Sequence, residues 1–116
     1  MDDFGKILPP AITEKATRTP AGNEWVLPLP EANQSIHLAT TNRIAILGVE
    51  AVRILDDGLG VENCSGYELS DVGDWTAYVH RNNEAALRFI DDNSVGHGRG
   101  YILTAVSKSE FKALRR

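Results

Sequence analysis

The chain has 116 residues, of which 12 are basic and 16 acidic, giving a net charge of −4, with 42% apolar and 24% charged residues. These proportions describe one globular domain, large enough to hide roughly two-thirds of its unfolded surface, and exclude a chain disordered throughout. A single cysteine, Cys64, excludes an internal disulfide framework and a Cys-rich zinc site, and the acidic balance argues against nucleic acid as the main partner.

The opening MDDFGKIL is acidic where a secretory leader would be basic, and no apolar run approaches the roughly 20 residues that span a bilayer. A reducing cytoplasm is the expected compartment. Residues 1–23 read as an N-terminal arm: a short helix from Asp2 and Asp3 to Leu8, stopped by Pro9 and Pro10, then an irregular polar stretch containing Pro20 and Gly22. Residues 24–116 read as a single α+β domain.

Within that domain, Trp25 to Leu27 predicts a short strand ended by Pro28 and Pro30. The alternation of Ile36 and Leu38 against His37 and Ala39 predicts a second strand over 35–40, with PEANQ as the turn. The segment 42–58 fits two readings. Ile44, Leu47, Ala51, Ile54 and Leu55 stand at helical spacing, while Val49 to Leu55 makes a strand that Asp57-Gly58 turns into another over Leu59–Cys64. The β-branched Val49, Val52 and Ile54, with Gly48, favour the hairpin.

Ser65 to Asp74 is rich in turn residues, and Trp75 to His80 reads as a strand with Trp75, Ala77 and Val79 inward and Thr76, Tyr78 and His80 outward. Asn82 or Asn83 then caps a helix to about Asp92, carrying Ala86, Leu87, Phe89 and Ile90 on its apolar side. Tyr101 to Val106 is apolar on both faces and reads as an interior strand. Ser107 and Glu110 form an S-x-x-E capping box for a last helix with Phe111 and Leu114 inward. The expected architecture is a mostly antiparallel sheet of about four to six strands with two helices of the C-terminal half on one face.

Between Ile54 and Val79 stand six carboxylates, Asp56, Asp57, Glu62, Glu68, Asp71 and Asp74, without a Lys or Arg, so the rest of the chain sums to +2. A local field of this kind steers a basic partner. Tyr67 and Tyr78 in the same stretch are residue types that anchor interfaces. DDGLGVENC breaks the ligand spacing of a calcium loop, and His37, His80 and His97 lack the spacing of a zinc helix, so no metal or cofactor is expected. Cys64 matches no nucleophile signature, its acidic neighbours disfavour a thiolate, and it reads as a small buried or half-buried hydrophobe. GHGRG, Gly96 to Gly100, leads into a strand rather than a helix, so it reads as a turn and not a phosphate loop.

ILGVEAVRILDDGLGVE and GDWTAYVHRNNEAALRFI, followed by a strand and the capping-box helix, resemble small bacterial toxin-immunity proteins in size, charge and style. That resemblance implies a compact acidic inhibitor that occludes a basic toxin, and it transfers no residue roles. The residues expected to meet the partner are Asp56, Asp57, Glu62, Tyr67, Glu68, Asp71, Asp74, Tyr78 and His80. The alternatives are a small enzyme or ligand-binding domain with a pocket near Cys64, His80 and Glu68, and a structural homo-oligomer joined through the two-sided apolar strand or through edge strands.

Overall fold

A computed structural model of the chain describes residues 2–18, 24–55, 58–67, 72–94 and 99–114. In chain order the elements are α1 (Asp2–Ile7), α2 (Pro10–Thr13), β1 (Thr17–Arg18), β2 (Trp25–Val26), α3 (Leu29–Thr41), β3 (Ala45–Leu55), β4 (Gly58–Gly66), α4 (Trp75–Asp92), β5 (Arg99–Val106) and α5 (Lys108–Leu114). The class is α+β. The main sheet has three antiparallel strands in the order β4-β3-β5, with β1 and β2 forming a separate two-stranded ribbon. The sheet is thus smaller than expected, because two predicted strands are helices.

The first of these is α3. Pro28 and Pro30 do not break it; they sit at its N-cap and first turn, where a missing N–H costs nothing. Ala32, Ser35, Ile36 and Ala39 make its buried stripe at helical spacing, and Ser35 survives burial by donating its hydroxyl to Glu31 O at 2.7 Å. The helix ends in a Schellman motif. Ile44 N–H donates to Ala39 O at 2.8 Å and Arg43 N–H to Thr40 O at 3.1 Å, with Arg43 in the left-handed region (φ 57°) that glycine usually occupies.

The second is α4, an 18-residue helix whose start replaces the predicted strand over 75–80. Trp75, Tyr78, Val79, Asn82, Asn83, Ala86 and Ile90 are buried, a stripe at the helical rather than the strand period. Asp74 caps it by accepting from Ala77 N–H at 2.9 Å. Asn82 and Asn83, expected as caps, lie inside the helix and grip β3. Asn83 Oδ1 accepts from Ile46 N–H at 2.8 Å, while Asn83 Nδ2 donates to Ile44 O at 3.0 Å and to Thr40 Oγ1 at 2.9 Å. Asn82 Nδ2 donates to Ile46 O at 3.1 Å.

The predicted hairpin is present: β3 and β4 pair from Gly48–Gly66 to Leu55–Gly58. β3, not β5, is the central strand; β5 pairs with β3 on one side and, on the other, exchanges two 2.8 Å backbone bonds between Tyr101 and Leu27. Gly100 is required there, since a Cβ would come within 2.5 Å of Val26 Cγ1. The capping box forms as expected, with Ser107 N–H donating to Glu110 Oε1 at 2.9 Å and Glu110 N–H to Ser107 Oγ at 3.1 Å. Phe111 is buried, but Leu114, expected inward, is exposed.

One core joins the inner face of the sheet (Ile46, Val49, Ala51, Tyr101, Ala105) to α3 and α4, and residues of the expected arm, Phe4, Leu8 and Ile12, belong to it. A second cluster, Ala45, Val106, Trp75, Tyr78, Val79 and Phe111, closes one end of the sheet. On the outer face Val26, Val52 and Ile102 form a smaller cluster.

Candidate functional site

Of the residues predicted to meet a partner, Asp56, Asp57, Glu68 and Asp71 lie outside the described residues. The other five do not form one surface. Asp74, Tyr78 and His80 belong to the start of α4. Glu62 lies on β4 beside Asn63, whose side chain donates to Asn93 Oδ1 at 3.0 Å, just past the end of α4. At 1.5 Å per residue that helix is about 27 Å long, so the two groups are separated by most of its length.

Four of the five are taken up in part by their own surroundings, as an ion pair, a cap or core packing. Glu62 pairs with Arg53 at 3.3 Å on the exposed edge strand. Asp74 is occupied as the N-cap. Tyr78 is corrected from a contact to a core residue: it is 1% exposed, its ring lies 5.5 Å from that of Trp75 and 6.1 Å from that of Phe111, and the Arg81 guanidinium lies 5.5 Å from its centroid. Helical geometry turns position 78 to the same side as 75 and 79, where a strand would have turned it away. Trp75 faces inward as expected, its indole N–H donating to Arg43 O at 2.8 Å. Tyr67 is half-buried against the core, and its hydroxyl is buried without a hydrogen-bond partner among the described residues. His80 is exposed on α4.

Cys64, expected to be at least half-buried, is exposed on β4. Its register partner is Glu50, two residues from Val52 of the outer-face cluster, so its side chain lies on the face opposite α3 and α4. The sheet therefore stands between Cys64 and His80, which do not converge among the described residues; Glu68, the third residue of that alternative, lies outside them. Among the described residues, no three of His, Cys, Asp and Glu come together as metal ligands. Nor is any helix there long and apolar enough to cross a membrane.

Two features escaped the sequence. One is a half-open cleft of about 330 Å³ where α4 and α5 begin, lined by Asp3, Arg43, Asp74, Trp75 and Lys108 among others. Its named charges balance, Asp3 accepts from Ser107 Oγ at 2.6 Å, and Asp74 is committed to its cap. The other is Glu50, the lone carboxylate in the middle of ILGVEAVRIL, half-buried on the outer face of the central strand. A single acid inside an apolar strand was its sequence signal. No protein-family model matches this chain, and no curated protein matches it.

Proposed function

We propose that this chain is a non-enzymatic protein-binding domain, an immunity-type inhibitor that works in the bacterial cytoplasm by covering a basic cleft of a toxin. The observation that carries this reading is the partly open outer face of the sheet. Helices α3 and α4 cover the inner face, while β4 is an edge strand and Gly48, Glu50, Cys64, Gly66 and Thr104 of the outer face are exposed or half-buried. An edge strand beside a partly open sheet face is a ready surface for a second protein. The carboxylates Asp56, Asp57, Glu62, Glu68, Asp71 and Asp74 would steer that partner over distance, which needs their summed charge and not a shared contact patch. Tyr78 is withdrawn from the contact set. The separation of Cys64 from His80 takes away the support for a pocket enzyme built on that pair.

The test is co-expression with the product of the gene immediately upstream. Arrest of growth by that product, relief by this chain, and a stable complex by light scattering are the expected results. Within the complex, Asp71→Asn and Asp74→Asn should slow association and flatten its salt dependence; asparagine at position 74 keeps the cap while removing the charge. Relief without any complex would overturn an occlusion mechanism.

A further inference from the structure

Directly opposed residues of an antiparallel pair share a face. The register therefore sets Gly66, Gly48 and Thr104 in one row across the sheet and Cys64, Glu50 and Ile102 in the next, both on the face away from α3 and α4. Ile102 is covered by Val26 and Val52, but Cys64 and Gly66 are exposed and Gly48, Glu50 and Thr104 are half-buried. Glu50 stands at the centre of this area. None of its neighbours on the face, Gly48, Val52, Cys64, Ile102 or Thr104, carries a positive charge, and the Glu50 side chain makes no hydrogen bond or ion pair among the described residues. The carboxylate has lost part of its water to its neighbours and has received no cation in exchange.

We propose that this outer face docks a basic segment of a protein partner, with Glu50 receiving charge-assisted hydrogen bonds from one Lys or Arg side chain. The proposal rests on the protein-binding reading above and names its contact. The adjoining row gives the room: a methyl group at Gly66 would meet nothing nearer than Leu47 O at 3.9 Å, and one at Gly48 would meet only Ser65 O at 3.2 Å, so no side chain among the described residues sits directly on the two glycines. A partner backbone can approach closely there while its basic side chain reaches Glu50. The charge on this face selects the occupant. A second copy docked through the same face would bring another Glu50 and no cation from that area, and a nucleic acid would bring phosphates against a carboxylate.

The experiment uses the full chain and an oligo-arginine peptide as probe, with a glycine-serine peptide of equal length as control, at low salt. Backbone amide shifts and the rate of Cys64 alkylation are read together. Expected are shifts centred on residues 48–50, 64–66 and 102–104, slower alkylation of Cys64, and affinity about tenfold weaker in Glu50→Gln, the size of one lost charge-assisted contact. Thr104→Arg, which supplies a cation from within the sheet, should weaken the probe as strongly. Shifts centred on Glu62 or Asp74 and unchanged in Glu50→Gln would overturn the Glu50 face while leaving the protein-binding reading intact. Absence of saturable binding would also overturn it, since the co-expression test judges that reading separately. A dimer that protects Cys64 without peptide would overturn it in favour of a second copy.

Discussion

Replacing Asn83 by alanine should be among the most damaging single substitutions in this chain, although the residue is polar. Its amide lies 1% exposed inside α4 and makes three bonds to α3 and to the start of β3. Alanine leaves Ile46 N–H without its acceptor and removes a donor from Ile44 O. Thr40 Oγ1 loses a donor too but still donates to Ile36 O at 3.0 Å. An orphaned buried N–H costs about 1–3 kcal/mol and a weakened carbonyl about 1 more, so the total is about 2–4 kcal/mol. Out of a total stability of about 5–15 kcal/mol this is a large share. For a domain of this size it lowers Tm by about 8–16 °C. Asn82→Ala, which removes a bond to Ile46 O, should cost about 1 kcal/mol. Urea unfolding of both variants, with the slope unchanged, measures the difference, and hydrogen exchange at the Ile46 amide localises it. A loss below about 1 kcal/mol for Asn83→Ala, or a larger loss for Asn82→Ala, would refute the view that these amides fasten α4 to β3.

Three further outcomes follow from single residues. Arg43→Gly should stabilise the fold by about 0.5–1 kcal/mol, because it relieves a left-handed residue at the end of α3 and keeps the carbonyl that Trp75 uses; a loss of stability in thermal unfolding would show that the arginine side chain matters more than its backbone. Tyr67→Phe should be neutral or stabilising by up to about 1 kcal/mol, since it deletes a buried hydroxyl without a partner among the described residues while leaving the ring; a loss above that size in urea would mean that the hydroxyl is satisfied. Partial burial pushes the Glu110 carboxyl up, but hydrogen bonds, including those from the N–H groups of Ser107 and Asp3, outweigh it and hold it below the ordinary glutamate range. A depressed carboxyl contributes stability above its unfolded value, near 4.3, and loses it as pH falls through the folded value. Wild type should therefore lose more stability than Glu110→Gln between about pH 5 and pH 3, and equal pH profiles of unfolding would refute this.

What was legible in the sequence was what depends on two or three neighbouring residues. The S-x-x-E box at Ser107 and Glu110, the hairpin around Gly58 and the strand Tyr101–Val106 all formed. Helix α3 was missed, and α4 was read only from Asn82 or Asn83 onward with its start taken as a strand, because the evidence for both is spread over many positions. In α3 the prolines looked like strand breakers, and the four residues 36–39 fit a period of two as readily as one face of a helix. In α4 the buried stripe is interrupted by Asn82 and Asn83, polar residues whose burial makes sense only once the backbone of β3 is there to be bonded. Arg43 hid the end of α3, since glycine is the usual sign of that turn. Trp75 was expected to face inward and does, but through helical geometry.

The candidate docking residue depends on a detail that no local pattern reveals. Ile46 and Val49 both pack in the helix-covered core although an odd number of steps separates them. Strict alternation from Ile46 would send Gly48, Glu50 and Val52 inward and Val49 and Ala51 outward. The reversal comes from the irregularity between Ile46 and Gly48 in the pairing with β5, a bulge that adds one residue to β3. Asn82 and Asn83 bond the N–H and the carbonyl of Ile46 at the edge of that bulge. The same two amides that fasten α4 therefore also fix which face Glu50 occupies. Without the bulge the carboxylate would be driven into an apolar core, where burial of an unpaired charge is costly, so register and charge reinforce each other. The proposed binding face on the outer side and the helix pair on the inner side are thus one structural decision, made at Leu47 and enforced from α4.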